Sequence, residues 1–477
     1  MQPSPRYPID QDEPAFDIDQ KMDEYWNRLI SFVCRPTSLL VGVLLLSIAT
    51  RVWLLMAFEA NSPDTKYYGM AARHGVDLKQ VVYRDFELEY PPVAWWVMAA
   101  PRLIDSQRYP DWQFTAETDR QYQKWYFTWF HAEMLLADIV CLGLMLAIGR
   151  RISTAAALGL PAAYTLLTIA QPHLLYDRLD LGLLMFLLLF VACWLKSLES
   201  SPAASRWAIA SYLFLGLAIS FKITPVVLVP FLLLAEVWAA GGAVRLAGRV
   251  LSLAAGAVGP FLVHMTSAGG GVFKVFQFHA ERGTHLESTW GSIMLAARAF
   301  GFPCRVVYVP GSYNLESDWS SALKVASTVC LFIMAASVGL WALWRARRFD
   351  RRTALDAAIL VLFNTTVLAH VFSPQYLIWL MPLGMLLALS VFPRSAALWC
   401  AFAVLAVAIM GLSSWLYPNH YVGMFTALQM WPVAIAVIRS ACLAAMALLL
   451  NVGFFTRYGL VASRSESSAP HEMAVAA

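Results

Sequence analysis

Residues 90–104 read Tyr90-Pro91-Pro92-Val93-Ala94-Trp95-Trp96-Val97-Met98-Ala99-Ala100-Pro101-Arg102-Leu103-Ile104, and whether this run crosses a bilayer decides the topology of everything after it. A helix over these 15 residues rises about 22 Å, short of a hydrocarbon core of roughly 30 Å, and prolines punctuate both ends. Charge placement separates the two topologies. With the run lying in the interface, Arg35, Arg150, Arg151, Lys196, Arg206, Arg245, Arg249, the group Arg345, Arg347, Arg348, Arg351 and Arg352, then Arg394 and Arg457 all fall on one side. With the run spanning, every later loop swaps sides and the five-arginine group lies outside, against the positive-inside tendency. The interfacial reading follows, with both termini cytoplasmic.

Around that run the chain reads as membrane. Its 477 residues are 59% hydrophobic and only 14% charged, with a mean hydropathy of +0.58, too little charge for a soluble domain of this length. Apolar runs recur near 38–58, 125–149, 153–175, 180–196, 207–221, 224–240, 247–265, 320–344, 354–372, 376–392, 395–416 and 429–453. They predict an all-α polytopic fold of about twelve transmembrane helices, with a long first outer loop that carries interfacial helices. The expected division is an acidic cytoplasmic tail over 1–37, a transmembrane catalytic domain over 38–453 with outer loops 59–124 and 266–319, and a cytoplasmic tail over 454–477. The first 28 residues lack the charged and apolar regions of a cleaved signal. No basic tract points to nucleic acid. The seven cysteines are scattered without a CxxC or a Cys/His metal spacing. No internal repeat supports the duplicated halves of many transporters.

The same topology gathers a second set of loops on the outer face: 59–124, Tyr176-Asp177-Arg178-Leu179-Asp180, Phe221-Lys222-Ile223-Thr224-Pro225, 266–319, Phe372-Ser373-Pro374-Gln375-Tyr376 and Tyr417-Pro418-Asn419-His420-Tyr421. In the first loop Ser62 suits an N-cap and Pro63 the first helical position, placing Asp64 in the first turn of a short helix that Gly75 can end. The helix dipole favours a carboxylate there, free to accept a proton; the plain alternative is a capping residue on a surface helix. Tyr67, Tyr68, Tyr83, Tyr90, Trp95 and Trp96 form an aromatic surface suited to headgroups or sugar faces, although an aromatic belt is the commoner use. Asp85, Glu87 and Glu89 alternate, so an extended segment presents them on one face, some solvated and one placed to join a site.

In the second long loop, His279-Ala280-Glu281-Arg282-Gly283-Thr284-His285-Leu286-Glu287-Ser288 follows the flexible Ala268-Gly269-Gly270-Gly271. The spacing does not suit a metal, and Gly283 breaks a helix there. Arg282 offers a fork of donors and His279 a further one, a pattern that fits a phosphate, with a solvated charge cluster as the alternative. Arg51, Arg178 and Lys222 stand near outer ends of spans, where snorkelling accounts for them equally well. Arg439 lies inside the last apolar run, where an ionisable residue by default faces a cavity or a partner.

The ordered set of Asp64 with Glu89-Tyr90-Pro91-Pro92, Arg178-Leu179-Asp180, Phe221-Lys222-Ile223-Thr224-Pro225, the His279 to Ser288 stretch, Phe372-Ser373-Pro374-Gln375-Tyr376-Leu377-Ile378-Trp379 and Ile438-Arg439 resembles the polyprenol-phosphate-sugar-dependent glycosyltransferases of the GT-C fold, most closely their bacterial and mycobacterial mannosyltransferase branch. The likeness covers most of 38–453. It implies a GT-C-like membrane enzyme with Asp64 as catalytic base, Lys222, Arg282, Arg439 and His279 around the donor phosphate, and Glu89, Tyr90, Arg178, Asp180, Gln375 and Tyr376 toward the substrates. A single Asp64 stands where many GT-C enzymes carry an acidic pair, which leans toward a reaction without metal or other cofactor. The implied partners are a polyprenyl-phosphate-sugar donor, a lipid or glycan acceptor and membrane lipids, at a bacterial inner membrane with the site facing the periplasm or the outside.

The chemistry agrees. A sugar leaving from a lipid phosphate departs as an anion, so it needs fixed positive charge and no protonating acid, while one base deprotonates the acceptor hydroxyl. Attack opposite the leaving group inverts the anomeric carbon, and no second carboxylate offers itself as a nucleophile. The competing reading is a lipid-linked-sugar flippase or secondary transporter, which prefers ionisable groups near the bilayer midplane and interrupted helices in paired repeats.

Overall fold

A computed structural model describes residues 36–57, 62–104, 116–239, 242–309, 311–345, 349–393 and 395–467. Arg35, Arg347, Arg348 and Arg394, nearly all of the N-terminal tail and the last ten residues lie outside the described residues. The chain opens with α1 (Pro36–Ala57), α2 (Pro63–Ala72), α3 (Pro92–Ile104), α4 (Ala116–Ile152), α5 (Thr154–Ile169), α6 (Asp180–Lys196), α7 (Ala204–Phe221), α8 (Val229–Trp238), α9 (Ala243–Ala257) and α10 (Gly259–Ala268). There follow α11 (Lys274–Glu281), β1 (Thr284–His285), α12 (Thr289–Arg298), β2 (Arg305–Val309), β3 (Ser312–Glu316), α13 (Ser320–Trp344), α14 (Arg351–Leu368), α15 (Leu377–Val391), α16 (Ala396–Trp415), α17 (Tyr421–Ala427) and α18 (Met430–Ser467).

Each apolar run carries a helix. Among the described residues, seven helices are long and apolar enough to cross a membrane, or eight if the pair Ala243–Ala257 and Gly259–Glu281, bent by 42°, counts as one span. Thr154–Ile169 and Thr224–Trp238 are shorter apolar helices, so the count of about twelve is compatible with what is seen. Burial orders them: 83% of the Pro374–Val391 span lies inside the protein, whereas Pro36–Ala57 buries Ser47, Arg51 and Leu54 alone, so the former sits at the centre and the latter at the edge. Close approach also shapes the bundle. A Cβ on Gly216 of α7 or Gly256 of α9 would meet the backbone of the other helix, the small-residue contact that lets apolar helices pack without polar groups.

The first loop is more helical than the sequence suggests. Ser62 Oγ accepts the Asp64 backbone N–H at 3.3 Å and Pro63 opens α2, as the N-cap reading requires. Gly75 does not end that helix. Helical backbone continues through a wider turn over Arg73–Asp77, and Gly75 is small because the Trp95 indole lies where its side chain would be. α3 has 13 residues, about 20 Å, which is too short for a span. The end of the first loop belongs to α4, whose 37 residues begin well before the apolar run. Gln, Arg and Lys propagate a helix readily, and Tyr122, Tyr126 and Phe130 stack at four-residue intervals with ring centroids 6.2 and 6.0 Å apart. Tyr122 Oη donates to the Gly69 carbonyl at 3.0 Å and Tyr126 Oη to the Met98 carbonyl at 2.8 Å, tying α2 and α3 to this extension.

The second loop departs from an all-helical reading. It holds a three-stranded antiparallel sheet in the order β1-β3-β2, with Thr284 opposite Leu315 and Tyr308 opposite Tyr313. Arg305-Val306-Val307-Tyr308-Val309 is rich in strand-forming side chains, and Gly311 takes the positive φ of 87° between β2 and β3.

The bundle has two chemically distinct ends. At one, Glu236 binds both Arg249 and Arg351, and Arg151 pairs with Glu199. At the other, all six polar loops meet.

Candidate active site

Asp64, presented by the first turn of α2, meets Arg178 through its Oδ2. Arg178 Nη2 donates to Tyr417 Oη at 3.3 Å, so residues from three separate loops join in one contact. Beside them Glu89 Oε2 accepts from Arg282 Nη2 at 2.9 Å, and Arg282 lies over the Phe278 ring at 5.0 Å. Tyr67 hydrogen-bonds the Glu89 backbone, and the Tyr68 and Tyr90 hydroxyls are 3.2 Å apart. Burial pushes the Glu89 carboxyl up, an effect that the Arg282 charge only partly offsets, with Asp64 and Arg178 acting on it as well. A third pair stands next to these: Lys222 Nζ donates to Asp180 Oδ1 at 2.8 Å while lying over the Tyr376 ring at 3.9 Å. Trp379 Nε1 donates to the same Asp180 oxygen at 2.9 Å.

Exposure distinguishes the carboxylates. The Asp64 side chain keeps 33% of its surface open, against 14% for Glu89 and 6% for Asp180. The cations retain unused donors: Arg178 Nε and Arg282 Nε are buried without an acceptor among the described residues. A buried guanidinium N–H left unpaired is costly, so an incoming anion gains from meeting it.

The alternating acids do not act together. A turn at Tyr83, with φ of 70°, bends the segment. Asp85 pairs with the adjacent Arg84 and Glu87 with Lys274 in the open, leaving only Glu89 in the cluster. Gln375 accepts a hydrogen bond from Ser373, folding back on its own short turn.

His279 lies in the last turn of α11, which stops before Gly283 as the break requires. Burial, then Arg282 and Lys222, lower its pKa to about 4, so at neutral pH it offers a neutral N–H and no charge. His285 is lowered to about 3 by burial, then by Arg282 and Arg439. The unfolded chain protonates these histidines near 6.5, so below that pH it binds more protons than the folded protein, and stability falls as pH falls from about 6.5 toward 4. In a thermal melt of purified protein we expect the midpoint to drop across this window, and His285→Asn or His279→Asn to flatten the drop; the same profile in both variants contradicts the assignment.

Arg439 is fully enclosed. It has no exposed surface and is held by Glu287, with Nη1 to Oε1 at 3.1 Å and Nη2 to the Glu287 carbonyl at 2.7 Å. In this arrangement it braces the His279–Ser288 stretch, while its Nε, like those of Arg178 and Arg282, is buried without an acceptor among the described residues. Arg51 is likewise not a snorkelling residue. Its guanidinium grips Asp138 at 2.9 and 3.1 Å in the interior. Asp138 was legible in sequence as the one acid of the run Met134-Leu135-Leu136-Ala137-Asp138-Ile139-Val140-Cys141, by the rule that made Arg439 conspicuous. Among the described residues no group of three His, Cys, Asp or Glu side chains is placed to hold a metal ion.

No profile of a known protein family matches the chain. No curated protein matches it either. Among solved structures it is similar to ArnT from Cupriavidus metallidurans in the apo state, at 16% identity over 88% of this chain and 76% of that one with a TM-score of 0.47. The same protein bound to undecaprenyl phosphate gives 18% identity over 87% and 75%, with a TM-score of 0.44. The apo oligosaccharyltransferase of Archaeoglobus fulgidus gives 10% identity over 88% of this chain and 56% of that one, with a TM-score of 0.40.

Proposed function

We propose that this protein is an inverting glycosyltransferase that moves a sugar from a polyprenyl-phosphate donor to a hydroxyl of a lipid or glycan acceptor at the outer face of a bacterial inner membrane, with mannose the first sugar to try. One observation supports it above the rest: a partly open carboxylate, Asp64, and the cations Arg178, Lys222 and Arg282 come from separate loops to one end of an apolar bundle. Such a place suits a donor whose tail stays in the bilayer while its headgroup reaches the loops.

In the proposed reaction the partly open Asp64 carboxylate takes the proton of the acceptor hydroxyl. The hydroxyl oxygen forms its bond to the anomeric carbon as the bond from that carbon to the phosphate oxygen breaks on the opposite face, and the phosphate leaves with the electron pair. Lys222 and Arg282 stabilise the charge that develops on it. These cations supply the positive charge, and the proposal takes no metal. Glu89 is less suited to be the base because Arg282 and burial enclose it. Tyr90, Tyr376 and Asp180 frame the sugar side, and Arg439 acts at one remove through Glu287.

Purified protein given a radiolabelled polyprenyl-phosphate sugar and a membrane lipid extract should yield a labelled product, with EDTA present as well as without it. Movement of the labelled lipid across vesicles without transfer would instead support the flippase reading.

A further inference from the structure

Residues 170–179 join α5 to α6 through turns, in which Leu174 and Leu175 donate to the Gln171 carbonyl and Gly182 and Leu183 to the Leu179 carbonyl. Yet Arg178 must be set accurately to meet both Asp64 and Tyr417. The side chains before it do the anchoring. Asp177 Oδ1 is 2.7 Å from Nε2 of His131 on α4, with both side chains mostly covered, and the Asp177 carbonyl accepts from Thr65 Oγ1 of α2 at 2.9 Å. Tyr176 Oη donates to Asp138 Oδ2 at 2.8 Å. Asp138 is itself fixed by Arg51 and by Tyr164 Oη at 2.6 Å. His131 and Asp138 are seven positions apart, two turns along one stripe of a continuous helix.

We propose that His131 is a positioning residue for the Asp64 site: by holding Asp177 against α4 it fixes the backbone from which Arg178 reaches Asp64. Neither His131 nor Asp177 touches Asp64 directly in the contacts of this cluster, and the pair does its work through Arg178. Thr65 closes the loop of contacts, because it stands one residue from Asp64 and binds the residue before Arg178. The kinetic part of this inference rests on the transferase reading, while the structural part does not.

The test separates them. Carboxyl footprinting with a water-soluble carbodiimide and an amine, read by mass spectrometry on purified protein in nanodiscs, reports how well Arg178 shields Asp64 without any substrate. Arg178→Gln should raise Asp64 labelling. His131→Ala should raise it several-fold toward the same level, and the double variant should go no higher than Arg178→Gln alone. His131→Gln retains an N–H for Asp177 and should stay near the wild type. Thr65→Val removes the second anchor without altering α4, and it should raise labelling even where His131→Ala folds poorly. Wild-type labelling in a folded His131→Ala, wild-type labelling in Thr65→Val where His131→Ala does not fold, or full additivity in the double variant overturns the proposal. In transfer assays His131→Ala should lower kcat roughly tenfold to a hundredfold with little change in donor KM, the signature of a displaced group. A footprinting response in a protein with no transfer activity leaves the positioning role standing and removes the transferase reading. Transfer at the wild-type rate in His131→Ala removes the positioning role alone.

Discussion

Replacing Asp64 with Asn is expected to lower the turnover of sugar transfer by about 10²- to 10⁴-fold, the usual contribution of a positioned base, while leaving the affinity for the polyprenyl-phosphate donor within a few-fold of the wild type. The substitution keeps the size of the side chain and its place in the first turn of α2. Asn also keeps a carbonyl oxygen for Arg178, so the loop bearing Arg178 retains a partner. Only the ability to accept a proton is lost. Lys222 and Arg282, the cations proposed for the phosphate, bind Asp180 and Glu89 and do not depend on Asp64 for their placement. Single-turnover assays with preloaded donor, together with a direct measurement of donor binding, distinguish the outcomes. Undiminished turnover in the variant would remove Asp64 from the role of base. Equal loss of binding and turnover would make it a recognition residue instead.

What the sequence made legible follows from what each feature depends on. Span positions depend on runs of apolar residues long enough to cross hydrocarbon, and each run does carry a helix. The cap at Ser62 with Pro63 depends on three adjacent residues and was readable for that reason. Gly75 was misread because its requirement is tertiary: Trp95 lies against it, and no local signal separates that use of glycine from a helix stop. The β-lobe was missed because β1 has two residues and takes its register from β3, some thirty positions later. At the site, the identity of the unusual polar residues was visible, since ionisable groups beside spans are conspicuous. Their pairing was not. Nothing in sequence says that Arg178 takes Asp64 while Asp180, two residues on, takes Lys222; these positions at the entry to α6 point to different neighbours, and only the packing of α2, α7 and α15 around them decides which.

The Arg439–Glu287 pair shows how that distinction is tested. If Arg439 served only to meet the donor phosphate, Arg439→Leu would weaken donor binding and leave the fold intact. The geometry requires otherwise. Both side chains are closed off from solvent, and Arg439 also satisfies the Glu287 carbonyl while lying 5.4 Å from the Phe372 ring. Removing one partner of such a pair leaves the other desolvated and unmatched, which typically costs about 3–5 kcal/mol. Burial already pushes the Glu287 carboxyl up, so with Arg439 gone it takes a proton and relieves part of the charge penalty, though the orphaned carbonyl remains. We therefore expect Arg439→Leu and Glu287→Leu each to lower the melting midpoint of the detergent-solubilised protein by several degrees or more. The double Leu variant should recover much of that loss, because no charge is left unpaired. It should not recover transfer, since the stretch from His279 to Ser288, which presents Arg282, loses its anchor to α18. Melting curves unchanged in both single variants would instead place Arg439 at the substrate.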